Sequence, residues 1–447
     1  MRPRLGKSIA GLVAFALASG ALAQGVGPDV LVGELPDVLR LGQASGITAY
    51  SIGTYSCNVG SAPLLWNRFT NEHPVITQNM YRVKNGRFEQ IGLGWLKHGY
   101  FAEIDSLCGT CIIPPGYNGQ QLGVGCADLY SASVNSVQNQ AGPRSQVNAL
   151  TGVFTFPVDY TGFPAAQPTI GRRVQVLNAD VDPASNSGAQ YFIESQYVTA
   201  DDAAAANAGN NASYREAVVT SASTFAMATT GTTVRGLAAI HAWAADPLVT
   251  ISSQTISGVG TITLGSRAES LGNGLWKYTY AVYNLDCDRA VGALSMQVSS
   301  CAVFSAPWSS LPRYHSGEVW SNQAWVFDAS GGVVGWAVPE QFAQNPDSSA
   351  IRWSSAGSYE FIADRPPNWR SVAIDFFKPG SPTRMQIAAW IPGQNPDYDG
   401  DGSVDFFDYD VFVGDYESGA PGADFDGDGA LDFFDYDAFV RAFEAGC

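Results

Sequence analysis

The chain has 447 residues, 46% of them hydrophobic, with 48 Gly, 24 Pro, seven Cys and a formal net charge of −17. That length supports two or three domains with a sizeable core. The acidic balance argues against a nucleic-acid partner, which needs clustered Lys and Arg.

The chain begins MRPRLGKSIAGLVAFALASGALAQ. Arg2, Arg4 and Lys7 precede an apolar run from Ile9 to Ala18, and Ala21-Leu22-Ala23 has the small residues of a cleavage site. Residues 1–23 read as a secretory signal, too short to span a membrane, with Gln24 as the mature N-terminus. A buried N-terminal helix is the alternative. No later run reaches the roughly 18 apolar residues of a span. The expectation is a secreted, extracellular or cell-surface protein without a membrane span once the signal is removed.

Four cysteines follow: Cys57, Cys108, Cys111 and Cys126. In an oxidising compartment they pair as disulfides, in one of three connectivities. The alternative is a zinc site, although a single CxxC is one ligand pair fewer than structural sites usually show. A thioredoxin-like role for CGTC is opposed by the prolines of IIPPGYNG, which block a following helix. Cys287 and Cys301 flank a predicted hairpin and are expected to pair, leaving Cys447 over.

The body reads as mainly β. Strand-like runs include Arg172–Asp180, Ala189–Val198 and Leu275–Leu285. Alternation in KYTYAVYN predicts a half-buried strand. A hairpin is predicted to turn at Ser330-Gly331-Gly332, and a second to join SVAIDFFKPG to RMQIAAWIPG. Thr199 to Ala217 reads as helix-like, from a capping-type start and an alanine run, followed by a Gly-Asn-Asn stop. These signals predict a β-sandwich-like body of one or two domains: a cysteine-containing region, 24–205, and a sandwich-like domain, 206–393.

No HExxH, G-x-S-x-G elbow or Walker loop is present. The histidines are His73, His98, His241 and His315. A His73/His98 metal site, or Cys126 as a nucleophile beside His98, competes with the plainer reading of fold residues and a disulfide. The carboxylate pairs Glu103/Asp105 and Asp180/Asp182 have glycosidase chemistry in principle, but any β-protein offers such pairs. No catalytic residue is assigned to the body.

The charge is concentrated at the C-terminus. Asp397 to Cys447 carries 15 acidic residues and one Arg, whereas residues 1–396 carry 26 acidic and 23 basic residues. Numbered from Asp397, a twelve-residue loop places Asp397, Asp399, Asp401, Asp405 and Asp408 at positions 1, 3, 5, 9 and 12, with Gly402 at 6 and Ser403 at 7. A second loop repeats this with Asp424, Asp426, Asp428, Asp432 and Asp435, with Gly429 and Ala430 at 6 and 7. This is the EF-hand calcium-loop pattern. Calcium takes six to eight hard oxygen ligands; alternate loop residues point inward, glycine allows the sharp turn, and position 7 contributes a backbone carbonyl. Ser403 and Ala430 therefore differ without loss. Two calcium ions are expected in a small α-helical module over residues 394–447.

Paired loops with Asp at position 12, each followed by a helix and lacking a leading helix, resemble the duplicated dockerin type I module. The ending Gly446-Cys447 resembles the GC-type variant on bacterial secreted proteins, and suggests a processing or attachment signal. The resemblance covers Asp397 to Cys447. It implies an extracellular docking module, folded by calcium, whose helix faces bind a cohesin on a scaffold or cell surface. One departure stands out. Positions 10 and 11, often small or hydroxyl residues in that family, are Phe406-Phe407 and Phe433-Phe434. Phe406, Tyr409, Val413 and Tyr416 recur at helical spacing, as do Phe433, Tyr436, Val440 and Phe443. They read as the core between two helices, with a share exposed for docking as the alternative. The leading reading is a secreted or cell-surface protein anchored through this module to an extracellular scaffold or surface protein. The runner-up is an extracellular hydrolase, acting on polysaccharide, carried by the same anchor.

Overall fold

The computed structural model describes residues 26–299, 302–313, 317–393, 396, 398–399, 403–425 and 430–445. The signal-like segment 1–23, Cys301, His315 and Cys447 lie outside the described residues, as do Asp397, Asp401, Asp426 and Asp428 of the tail loops. The described chain is mainly β, in several antiparallel sheets, with short helices and two longer ones near the C-terminus.

Two of the three predicted hairpins form; after Cys287 the described chain instead runs as one strand, Val291–Gln297, whose partners Val333–Ala337 and Pro367–Phe376 are distant in sequence. Val326–Ser330 pairs with Val333–Ala337 around Gly331 and Gly332, which have φ of 60° and 72°. Positive φ at both central residues is what a two-residue type I′ turn requires, and glycine adopts it without a Cβ clash. Pro367–Phe376 pairs with Arg384–Pro392.

The alanine-rich segment is helical over less of its length than its composition predicts. The Thr199 side chain caps one short helix, Ala200–Ala204, by accepting the Asp202 N–H. Ala206 then turns at φ 61°, and Ala212–Val219 is a strand paired with Gln190–Val198. The boundary expected near residue 205 therefore falls inside one sheet. Alanine's helix propensity, worth less than about 1 kcal/mol per residue, yields to the ladder on either side.

Two five-stranded sheets form the second half. One runs Val249–Ile256, Gly260–Gly272, Leu275–Asn284, Ser355–Ala363, Phe304–Ser310. The other runs Val326–Ser330, Val333–Ala337, Val291–Gln297, Pro367–Phe376, Arg384–Pro392. They share one apolar core, to which the first gives Leu264, Tyr280 and Phe361 and the second Leu294, Ile374 and Ile387. The other face of the first sheet packs on the large N-terminal sheet, where Tyr81, Phe88 and Phe192 meet Ala281 and Tyr283. Leu275–Asn284 is therefore buried on both faces, not one. Its tyrosines explain the misleading alternation. The hydroxyls of Tyr278 and Tyr280 donate to the carbonyls of Arg365 and Trp390 at 2.8 and 2.9 Å. A tyrosine with its hydroxyl satisfied can be buried like any other aromatic.

A buried carboxylate sits where these layers meet. Glu194 is fully buried. Its Oε1 accepts from Asn79 Nδ2 and the Tyr81 hydroxyl, each at 2.9 Å, and from the Tyr283 hydroxyl at 3.1 Å. Its Oε2 accepts from the Ala239 N–H at 2.6 Å. Burial raises the Glu194 carboxyl above its usual range, and these hydrogen bonds oppose that shift. Asn79 in turn accepts from Arg144 Nη2 at 2.7 Å, and both reach the Ser354 carbonyl at 3.0 Å. Glu194→Ala strands four donors and is expected to cost at least about 3 kcal/mol, against about 1–2 kcal/mol for Tyr81→Phe. Urea unfolding of the two variants measures the difference; equal costs would contradict the network's role.

Candidate functional site

The tail forms two helices of equal length, Phe406–Ser418 and Phe433–Ala445. The first starts with a capping box. The Asp405 side chain accepts the Phe407 N–H at 2.9 Å, and Asp408 Oδ2 accepts the Asp405 N–H at 2.8 Å. Asp408 Oδ1 reaches further back, to the Asp399 N–H at 3.0 Å. The second copy repeats the arrangement: Asp432 accepts the Phe434 N–H at 2.8 Å and Asp435 Oδ2 accepts the Asp432 N–H at 2.9 Å. The position-12 carboxylates are thus turned back toward their loops, with Asp408 and Asp435 only 1% and 0% exposed. Asp399, Ser403, Asp405, Ala430 and Asp432 are exposed, and Asp424 is half-buried. Asp397, Asp401, Asp426 and Asp428 lie outside the described residues. Among the described residues no group of three His, Cys, Asp or Glu side chains converges as a metal site. The donor chemistry of the loops, carboxylate and carbonyl oxygen throughout, fits a hard divalent cation.

Sequence-equivalent aromatics of the two copies pack against each other. Phe412 stacks on Phe439 with ring centroids 3.9 Å apart and planes 9° apart. The hydroxyls of Tyr409 and Tyr436 are 2.5 Å apart. Exchanged pairs match as well: Tyr409–Phe443 at 6.0 Å mirrors Tyr416–Tyr436 at 5.9 Å. Tyr398–Phe412 at 5.4 Å likewise mirrors Phe425–Phe439 at 5.3 Å. Self-pairing of equivalent residues is the mark of a two-fold axis, here within one chain.

This corrects the predicted core. Tyr409 and Tyr416 belong to it with Phe412, and Tyr436 and Phe443 with Phe439. Phe406 and Phe433 do not: with Phe407 and Phe434 they are 64–67% exposed. The sequence reading included Val413 and Val440, which pack against this core, but missed Phe412 and Phe439 at its centre, and Tyr398 and Phe425, which sit at loop position 2 and close it. Their signal was present, an aromatic at the same place in both copies.

In the body, all four early cysteines are oxidised. Cys57 pairs with Cys108 and Cys111 with Cys126, with Cα atoms 5.7 and 4.2 Å apart. Zinc ligation, CGTC redox chemistry and a Cys126 nucleophile each need a free thiolate, so none applies to this state. The expected partner of Cys287, Cys301, lies outside the described residues, and Cys287 is a buried free thiol. Burial pushes its thiol up to about 12, which leaves it unreactive at neutral pH.

His73 and His98 do meet, with His73 Nε2 2.8 Å from His98 Nδ1, and both are buried. Phe154 and Phe156 pack edge-on against the His73 ring, each with centroids 5.1 Å away. Tyr100 and Phe156 carry this cluster to the wall of a cleft of about 360 Å³, also lined by Arg68, Phe69 and Gln140. The adjacent Lys97 is buried too, and donates to the His98 carbonyl at 2.8 Å and to Gln140 Oε1 at 2.7 Å. A second cleft, of about 350 Å³, contains Asp288 and Lys378, which pair at 2.8 Å, and Arg352, packed over Trp320 and Phe377. The candidate carboxylate pairs serve the fold. Asp105 accepts the Leu107 N–H at 2.8 Å, Asp180 pairs with Arg82 at 3.3 Å, and Asp182 accepts the Ala184 N–H at 3.0 Å.

No protein-family model matches the chain, and no curated protein matches it in sequence.

The histidine pair carries a pH dependence. Burial pushes His73 down to about 4 and His98 down to about 3, helped in both by the positive charge of Lys97. Both are neutral at pH 7. As pH falls from about 6.5 toward 4, the unfolded chain takes up protons that the folded chain refuses, so stability falls. The wild type should lose stability relative to a His73→Gln/His98→Gln variant over that window. The slope should approach about 1.4 kcal/mol per pH unit for each histidine and vanish above pH 7. Urea titrations at stepped pH test this; a difference that stays flat from pH 7 to 4 would contradict it.

Proposed function

We propose that this is an exported protein anchored to an extracellular scaffold or cell-surface partner through its C-terminal helical module, which folds around two calcium ions. The observation that carries the reading is the internal two-fold. The same loop and helix occur twice, and equivalent side chains, Phe412 with Phe439 and Tyr409 with Tyr436, pack on one another. Among the described residues the apolar interior of this unit is that aromatic cluster with a few alanine and valine side chains. Five carboxylates in each twelve-residue loop repel one another unless a cation lies between them. A dockerin-like module of this kind joins its carrier to a partner, and its partner face here is unusual. Phe406, Phe407, Phe433 and Phe434 present bare aromatic rings at the helix starts. Exposed aromatics of this size suit an apolar groove in the partner. Export is supported by the signal-like segment 1–23 and by two disulfides, which persist in oxidising compartments. The β body, with two sheets over one core, is then a sandwich-like cargo.

Hydrogen exchange of the full-length protein tests the cation dependence. With calcium, amides of Phe406–Ser418 and Phe433–Ala445 should be protected; with a chelator they should exchange freely while Leu275–Asn284 stays protected. Equal protection of the helices in both conditions sinks the calcium reading. Replacing the four phenylalanines by serine should abolish calcium-dependent retention on the producing cell's envelope and leave helix protection intact. Undiminished retention would exclude these rings as the docking face.

A further inference from the structure

The module is seated on the body, and the seat is built from side chains. Asn368 and Arg370 lie near the start of the Pro367–Phe376 strand. Asn368 Nδ2 donates to the Phe425 carbonyl at 3.1 Å. Arg370 Nη2 donates to the carbonyls of Gly422 and Asp424 at 3.0 and 3.3 Å. By strand alternation both residues share a face with Val372 and Ile374, which line the core between the five-stranded sheets. The module therefore covers one end of that core, and Asn368 is left only 1% exposed. The chain also leaves the body beside this strand, where the Gly393 N–H donates to the Pro366 carbonyl at 2.7 Å.

The three carbonyls are presented together for a definite reason. The 3-10 turn Pro421–Ala423 precedes the second loop, which starts at Asp424. Ala423 and Phe425 are buried in the two-fold core. Phe425 packs edge-on against Phe439 and Phe412, with centroids 5.3 and 5.9 Å away. The seat thus grips backbone whose position is set by the pairing of the two helices. If the helices come apart, Phe425 loses its place, the carbonyls scatter, and Asn368 and Arg370 are returned to water.

We propose that the start of the second loop, held by Asn368 and Arg370, is a cation-gated interface between module and body, so that filling the loops fixes the module's orientation and stabilises the strand pair that ends the body. This rests on the calcium reading above, because the cation is what forms the helix pair. Coupling of this kind is reciprocal: whatever calcium gives to the body strands, the intact seat gives back as tighter calcium binding.

The body carries its own reporter. Trp369 lies between Asn368 and Arg370 in the strand, on its opposite face, and packs on its cross-strand partner Trp390 with ring centroids 5.1 Å apart; no tryptophan follows Trp390 in the chain. Calcium titration of the full-length protein should change the tryptophan fluorescence and slow amide exchange in Pro367–Phe376 by about tenfold, the usual order for linked sites. In Arg370→Ala, and in the charge-preserving Arg370→Lys as a check on folding, both responses should shrink while calcium still protects Phe406–Ser418 and Phe433–Ala445. Helices protected by calcium with no response from the wild-type strands would overturn the interface and leave the anchor standing. An Arg370→Ala response equal to that of the wild type would do the same. Helices indifferent to calcium would overturn the anchor reading and the gate together.

Discussion

Glu194 is the constraint on which the arrangement of the layers depends. A carboxylate taken out of water costs several kcal/mol unless its lone pairs are answered. Its four donors come from Asn79 and Tyr81 of the large sheet, Tyr283 of the adjoining five-stranded sheet, and the backbone of Ala239 between the two. Apolar contacts tolerate small slips, since they have no preferred direction. Hydrogen bonds to a buried carboxyl group do not. A shift of one sheet over the other would strand Glu194 or one of its donors, so the node fixes the register between layers that the hydrophobic effect only brings together. Arg144 extends it, joining Gly94, Gln78, Asn79 and Ser354.

From this node the placement of the rest follows. Because both faces of Leu275–Asn284 are covered, the sheet on its far side must close its own core with the aromatic and aliphatic residues of Pro367–Phe376 and Arg384–Pro392. That core is open where the last strand ends, and the helical module lies across the opening. The body's polar groups there, Asn368 and Arg370, find backbone carbonyls of the module in place of water. Burial elsewhere holds the histidine pair neutral and the Cys287 thiol protonated.

The module repeats the same logic on a smaller scale. A duplicated sequence folds into two helices that bury the same residues against each other, so one aromatic pattern serves as both knob and socket. Positions 409, 412 and 416, spaced three and four apart, share one helix face, as do 436, 439 and 443. Phe406 and Phe407 lie one turn earlier, at a helix start that no element among the described residues covers. The chemistry of a phenylalanine does not say whether it is buried; its distance from the crossing point of the helices does.

The sequence by itself determined what depends on local spacing. The hairpin of Val326–Ser330 and Val333–Ala337 was legible because Gly331-Gly332 satisfies a backbone requirement that few other residues meet. The strands and the helix starts were legible for a similar reason, since each is a pattern within a dozen residues. Only the tertiary structure decided what depends on partners distant in the chain. It set which cysteines pair, because Cys57, on the middle strand of a three-stranded sheet, is met by Cys108 from a turn some fifty residues on, not by spacing. It carried the strand ladder across the boundary expected at residue 205, and it covered both faces of KYTYAVYN. It also placed Asn368 and Arg370 beneath a loop more than fifty residues away. Each of these is a question of what covers a surface or answers a hydrogen bond, and a single segment of sequence contains only one side of that contact.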